Sequence, residues 1–266
     1  MKSIRDEYSY TNNSEQSSQL ENLTRLDVLL MQLQYASTRN KAQRLIKEGA
    51  VQVNDVTVTK PSTKCGVHDR ISVVDQDSYV SRGAYKLLGA LHEFHVDVRN
   101  SLALDIGAST GGFTQVLLER GAQHVIALDV GHGQLDPRIA NSSHVTEMSG
   151  VNIRNIQPCD LPYQPNVVVS DVSFISLTYV LPVVKNICAS NAQIILLIKP
   201  QFEVGKGKLG KGGIVESEDL RRQAVDTVCE CAIQCGFKIE KVIPSPIEGT
   251  HGNKEYLLYA RFEELK

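Results

Sequence analysis

Residues 102–113 read LALDIGASTGGF, and the later run HVIALDV (124–130) closes on an acid, Asp129. The apolar stretch Leu102 to Ile106 predicts a strand. It ends at Asp105 and Gly107, and a loop of small residues leads through Gly111 and Gly112 into the helical pattern FTQVLLERG. Strand, glycine turn and helix in that order bring backbone N–H groups and a helix N-terminus close to a ligand. A second strand ending in Asp129 sets a carboxylate where two ribose hydroxyls can be bound, as in dinucleotide-binding folds. The loop, however, is spaced G-x-x-x-G-G and not G-x-G-x-x-G. That spacing fits S-adenosylmethionine, which has no pyrophosphate and carries an amino-acid carboxylate instead. An ordinary βα turn with flexible glycines is the alternative on this stretch alone.

Composition bounds the rest of the chain. Its 266 residues hold one large α/β domain plus a small one. With 42% apolar and 22% charged residues it reads as globular. A net charge of −2 excludes bulk attraction to nucleic acid, so any basic surface must be local. The six cysteines are scattered with no C-x-x-C pair, and the polar start MKSIRDEYSYTNNSEQSSQ has no apolar core. Reduced thiols in a cytoplasmic protein follow. Cys231 and Cys235 share a helical face but lack partner ligands, so no metal site is expected. No apolar run approaches the ~18 residues needed to span a bilayer.

Upstream of the glycine loop, residues 1–23 are polar and read as a disordered tail. From there TRLDVLLMQL predicts a helix capped by Thr24, with Leu26, Leu29, Leu30 and Leu33 on one face. STRNKAQRLIKEG predicts a second, capped by Ser37 or Thr38, with Ala42, Leu45 and Ile46 inward and Gly49 as its stop. AVQVNDVTVTK alternates around Asn54-Asp55 as a tight hairpin, and RISVVD adds a strand. Residues 24–76 carry +3. Arg25 lies at the start of the first helix, and Arg39, Lys41, Arg44 and Lys47 are polar positions on the second that can face a phosphate backbone as easily as solvent.

RLDVLL followed by STRNKAQRLIKEGAVQVND resembles the S4 RNA-binding domain of ribosomal proteins and RNA-modifying enzymes. The usual tip of its hairpin is Asn-Gly; here it is Asn54-Asp55, a turn Asp tolerates at modest cost. The resemblance implies RNA binding by this module.

Residues 77–80 form a connector, and Ser81 is placed to cap a helix, RGAYKLLGALHEF, with Leu87, Leu88, Leu91 and Phe94 inward. Beyond it strands are expected at 102–106, 124–129, 144–147, 166–171, 193–199, 238–243 and 255–262, and helices near 112–120, 174–188 and 216–235. This alternation predicts a doubly wound, seven-stranded, mostly parallel sheet.

Ligands of such sheets sit outside the carboxyl ends of the strands. Asp171 ends NVVVSD, and Lys199 ends QIILLIK directly before Pro200. Glu255 opens EYLLYARF, at the same edge if that strand runs antiparallel, and Lys86 comes from the helix before the first strand. A lysine closing an apolar buried strand is costly unless paired. A Lys199–Asp171 salt bridge with no chemical role would serve that purpose as well as a reactive site.

SRGAYKL, LDIGASTGGF, SDVSFISL, IKPQFEVGKGKLGKGG and GNKEYLL stand in the order and spacing of the TlyA family, across residues 24–263. The resemblance implies an rRNA 2′-O-methyltransferase of the cytoplasm. Its parts are a small α+β S4 domain (24–76) and, after the 77–80 linker, an FtsJ-like class I (Rossmann-like) S-adenosylmethionine-dependent methyltransferase domain (81–266). The implied partner is ribosomal RNA or a ribosomal subunit, modified at a cytidine of 16S or 23S rRNA, with no membrane and no metal. The Lys-Asp-Lys-Glu tetrad of FtsJ-like enzymes falls on Lys86, Asp171, Lys199 and Glu255. Ala84, where the family has Gly, and His132, where it commonly has Tyr, depart from the pattern outside the tetrad.

A ribose hydroxyl is a weak acid and needs a base. A lysine serves only where burial or a neighbouring cation disfavours its charge. On this reading Lys199 is the base with Lys86 as the neighbouring cation, and Asp171 and Glu255 orient the two. Cofactor contacts are expected from Gly107, Ser109, Gly111, Gly112 and Phe113 around the methionine moiety. Asp129 would hold the ribose, Asp105 the ammonium, and Asn152 the adenine. Lys206, Lys208 and Lys211 of EVGKGKLGKGG are candidate RNA-phosphate contacts, the alternative being a flexible surface loop. Two other functions compete. Relatives have carried the label hemolysin, against which the absence of any spanning segment argues. A non-catalytic ribosome assembly factor would need neither the tetrad nor the cofactor loop.

Overall fold

The computed structural model describes residues 23–36, 38–47, 49–66, 68–73, 79–249 and 252–263. The polar tail, Ser37 and most of the connector lie outside them, as do the side chains of Lys41, Arg44, Lys206 and Lys211. The chain divides at residues 74/75 into two units.

The first unit runs β1 (Thr24–Arg25), α1 (Leu26–Gln32), α2 (Arg39–Lys47), β2 (Val51–Val53), β3 (Val56–Thr57), β4 (Lys64–Cys65) and β5 (Ile71–Val73). Leu26, Leu30, Ala42, Leu45, Ile46 and Val51 form its core, the faces that helical spacing of the apolar residues predicts. Val53 pairs with Val56 across a two-residue turn in which Asn54 (φ 51°) and Asp55 (φ 65°) are both left-handed. That twist matches the flanking strands. Two expectations fail. Thr24 pairs with Cys65 in β1 and does not cap; Arg25 occupies the N-cap without a side-chain cap bond. Leu33 lies beyond the last turn of α1, 47% exposed.

The second unit runs α3 (Gly83–Phe94), β6 (Leu102–Ile106), α4 (Gly112–Glu119), β7 (His124–Asp129), α5 (Pro137–Ala140), β8 (Val145–Ser149), β9 (Val167–Ser170), α6 (Leu177–Ile187), β10 (Asn191–Ile198), α7 (Pro200–Glu203), α8 (Glu218–Gln234), β11 (Phe237–Pro244) and β12 (Tyr256–Glu263). The sheet order is β11-β12-β10-β9-β6-β7-β8, with only β12 antiparallel to its neighbours. Both faces of the sheet are covered, so its central strands read as continuous apolar runs. On β10, Ile194, Leu196 and Ile198 pack on one side with α6 and α8, while Ile195 and Leu197 pack on the other with α3 and α4.

Helix starts differ in detail from expectation. Ser81 does not cap α3; Arg82 holds the N-cap in helical conformation, and the Ser81 carbonyl accepts from Ala84 N at 3.2 Å. Helix α6 begins at Leu177, later than 174, because Ser176 caps it by accepting from Thr178 N.

The chain enters the sheet at its centre, lays β7 and β8 to one side, and then crosses to β9 on the other. Between the carboxyl ends of β6 and β9 the order reverses, and a crevice opens there.

Candidate active site

At that reversal the backbones after β6 and β9 touch. Asp171 N donates to Ile106 O at 3.1 Å. Gly107 has φ 84°, and a Cβ on it would stand 2.8 Å from the Asp171 carbonyl oxygen, so no side chain fits. The approach frames a cleft of about 830 Å³, the size of a small-molecule site. Gly107, Ser109, Asp129, Val130, Asn152, Ile153 and Arg154 line one flank, and Asp171 to Ser176 line the other. Asp129 is held without a counter-charge: Ser109 N donates to its Oδ2 at 2.8 Å and Gly131 N to its Oδ1 at 2.7 Å. Each oxygen keeps a lone pair for a hydroxyl. The Asn152 carboxamide caps the following turn by accepting from Arg154 N.

A second cleft of about 220 Å³ adjoins the first and shares Gly107, Ser109, Asp171 and Ser173 with it. It is lined by Lys86, Asp171, Lys199 and Glu255 together. Lys86 comes from α3, Asp171 follows β9, Lys199 follows β10, and Glu255 precedes β12, whose Tyr256 pairs antiparallel with Ile198. Lys86 Nζ lies 2.6 Å from Glu255 Oε2 and 3.7 Å from Asp171 Oδ2. Lys199 Nζ lies 2.6 Å from Asp171 Oδ1 and donates to Ser173 Oγ at 2.9 Å. The four groups therefore form one chain, Glu255–Lys86–Asp171–Lys199, with Asp171 shared by both lysines. Lys86 and Glu255 are buried, and Lys199, 11% exposed, is the amine at the open end.

Not every expected contact reaches a cleft. Asp105 is fully buried; its Oδ2 accepts from Thr114 Oγ1 at 2.7 Å, and it lines neither cleft. Burial pushes its carboxyl up to about 7. A direct contact from Asp105 to a cofactor ammonium is therefore not built here; the residue sits beneath the loop. Gly111 (φ 94°) also lines neither cleft, and a Cβ there would press on Leu135 at 2.8 Å. Gly112 and Phe113 line the lysine cleft, not the larger one.

Several lining residues carried no signal in the sequence. Ser173, two residues after Asp171, could have been flagged as a polar group near the acid. Phe174 (φ 65°) is 91% exposed, 5.1 Å from the Phe202 ring, and Phe202 lies 5.9 Å from Lys199 Nζ. An aromatic standing in water beside the Lys199 turn has no packing explanation. Asn253, buried, accepts from Val215 N and donates to Gly213 O, holding the end of the glycine-lysine segment near Glu255.

The basic residues of the first unit are organised by Asp27, which is buried and accepts from Arg25, Arg39 and Gln43. Arg25, then Gln43 and Arg39, hold its carboxyl well below the usual range. Arg25 and Arg39 are thus anchored at one edge and open at the other, and Lys47 is exposed. In the second unit the exposed Lys208 reaches Gln223 at 3.3 Å.

Comparison with known proteins agrees with this arrangement. The FtsJ-like methyltransferase model matches residues 79–262, and the S4 domain model matches 24–71. The 16S/23S rRNA (cytidine-2′-O)-methyltransferase TlyA of Mycobacterium tuberculosis is 42% identical over 239 residues, 89% of each chain. Hemolysin A of Brachyspira hyodysenteriae is 42% identical over 236 residues, 88% of this chain and 98% of that one. A solved structure of a hemolysin candidate from Streptococcus thermophilus superposes with a TM-score of 0.70 at 36% identity, covering 91% of this chain and 89% of the other. With both models matched, and with a lysine–carboxylate chain beside a glycine-loop cleft, the protein belongs to the FtsJ-like methyltransferases, in the S4-bearing TlyA family.

Proposed function

We propose that this protein transfers a methyl group from S-adenosylmethionine to a ribose 2′-hydroxyl of ribosomal RNA, at a cytidine as in its named relatives, with Lys199 as the base. The observation that carries the reading is the junction of the two clefts at Gly107, Ser109, Asp171 and Ser173. A methyl donor in the larger cleft and a hydroxyl in the smaller would meet at residues both share.

The larger cleft fits the cofactor. Asp129 suits a pair of ribose hydroxyls, Val130, Asn152 and Ile153 suit the adenine, and Gly107 and Ser109 suit the methionine end. S-adenosylmethionine supplies an electrophilic methyl on sulfur. The chain's own groups do the remainder. Lys199, acting as the neutral amine, takes the proton from the 2′-hydroxyl at its Nζ and becomes the ammonium, while Ser173 Oγ and Asp171 fix where that nitrogen points. When the alkoxide charge develops, Lys86 stays cationic between Asp171 and Glu255, so the chain of four groups loses no counter-ion at that moment. Holding oxygen and methyl in line contributes up to about 7–11 kcal/mol of the barrier reduction. The S4-like unit, with Arg25, Arg39 and Lys47 at its surface, and the lysines of 206–211 hold the RNA backbone.

Purified protein incubated with methyl-labelled S-adenosylmethionine and ribosomal subunits tests the reading. A 2′-O-methyl group blocks alkaline cleavage of its own phosphodiester, so label is expected in alkali-resistant dinucleotides. Label released in mononucleotides would mean base methylation and would overturn the proposal.

A further inference from the structure

We infer that Glu203 is a positioning residue for the methyl transfer proposed above, on which the inference rests: its carboxylate clamps the loop that carries Asp171 and Ser173 against the turn that carries Lys199. Lys199 and Glu203 bracket one short element, α7, since Lys199 is its N-cap and Glu203 its last residue. The loop from Asp171 to Ser176 runs from the end of β9 to the cap of α6. These two segments are joined at both ends. At the reactive end, Lys199 Nζ meets Asp171 Oδ1 at 2.6 Å and Ser173 Oγ at 2.9 Å. At the far end, Glu203 Oε2 accepts from Ser176 Oγ at 2.5 Å and Oε1 accepts from Leu177 N at 2.9 Å. Phe174 and Phe202 close the middle, 5.1 Å apart.

Two bonds from one carboxylate to a helix N-terminus are stronger than a serine cap alone, because acceptor charge and helix dipole act together. Ser176 satisfies Thr178 N, and Glu203 satisfies Leu177 N at the same helix start. What Glu203 adds is the link to α7. Without it the loop is tied to the Lys199 turn by the reacting groups and the exposed Phe174–Phe202 contact, and the separation of the reacting groups is free to drift when Lys199 changes protonation. Glu203 lines neither cleft and so touches no substrate.

The test is the single-turnover methylation rate of Glu203→Ala, Glu203→Gln and Ser176→Ala at saturating S-adenosylmethionine and RNA. Rates are expressed per S-adenosylhomocysteine-binding site counted by calorimetry, with thermal unfolding followed in parallel. Glu203→Ala is expected to slow transfer about 10- to 100-fold per site, the cost of misplacing a reacting group by an ångström. Glu203→Gln keeps the reach and an acceptor, and it is expected to recover to within about threefold of wild type. Adding Ser176→Ala to Glu203→Ala should slow it little further, since Glu203→Ala already removes the Ser176 contact together with the one to Leu177 N. Unchanged rates per site, however far the melting temperature falls, would reduce Glu203 to a structural role and overturn the inference. So would a Gln variant as slow as Ala, or a loss that tracks weakened S-adenosylhomocysteine binding. If Glu203→Ala does not fold, Glu203→Asp, which keeps the charge and shortens the reach, decides: slowed transfer per site supports the clamp and unchanged transfer overturns it. Wild-type protein that transfers no methyl to RNA would instead overturn the methyltransferase reading, a separable result.

Discussion

The two clefts hold their acids in opposite ways. In the larger cleft Asp129 is fixed by two backbone amides and, among the described residues, is paired with no cation. In the adjoining cleft Asp171 and Glu255 are fixed by lysines, and no backbone amide is needed. The first arrangement leaves a carboxylate whose hydrogen-bonding capacity is spare, which suits binding. The second sets two lysine amines and two carboxylates within reach of one another, which suits proton transfer. The turns after β6 and β7 build the first, whereas four distant elements build the second. Binding and chemistry should therefore fail independently.

The sharpest way to break that contrast is Lys199→Ala. Methyl transfer is expected to fall about 10²- to 10⁴-fold, the range of a lost general base, while S-adenosylhomocysteine affinity stays within about threefold by calorimetry. Next comes Lys86→Ala, which strands the buried Glu255 carboxylate; chemical denaturation should register a loss of about 3–5 kcal/mol. Replacing Lys86 and Glu255 together by Met and Leu should recover most of that stability without recovering activity. Asp129→Ala reverses the pattern: cofactor affinity should weaken about 10- to 100-fold, as expected for losing a charged hydrogen-bond acceptor, with the rate at saturating cofactor largely kept. If both variants lost binding and chemistry equally, the division between the clefts would be wrong.

Asp105 gives a subtler handle on the cofactor side. Its carboxyl is raised to about 7 in the folded protein by burial. The folded state thus holds this proton more tightly than the unfolded chain, and stability from this group is lost as pH rises from the ordinary carboxylate range through about 7. Asp105→Asn cannot titrate. Its melting temperature relative to wild type should rise across that interval and level off above it, and a flat difference would contradict a buried, protonatable Asp105. The smallest effect is expected at the hairpin, where Asp55→Gly relieves a left-handed non-glycine at the cost of an exposed pair with Arg70. The gain should stay under about 1 kcal/mol.

Much of this was legible in the sequence because it depends on local pattern. Strand ends at Asp171, Lys199 and Glu255 followed from apolar runs meeting a charge, and an antiparallel last strand put Glu255 at the shared edge. What escaped was set by tertiary contacts. Asp105 looks like a ligand on a strand-end argument, but the register of β6 turns it beneath the loop toward Thr114. Ser81 looks like a cap, yet helix α3 begins at Gly83 behind Arg82. Phe174 and Glu203 are ordinary letters in SDVSFISL and IKPQFE, and only the approach of α7 to the loop after β9 gives them a role. Arg25 and Arg39 read as free basic groups until the buried Asp27 gathers them.

The central claim, that these clefts together methylate ribose in ribosomal RNA, is tested most directly by mapping 2′-O-methyl positions in 16S and 23S rRNA from a host lacking the gene. Methylation at one or more cytidines should be lost on deletion, return with the wild-type protein, and stay absent with Lys199→Ala. An rRNA methylation map unchanged by the deletion, or restored in full by the Lys199→Ala protein, would contradict the account.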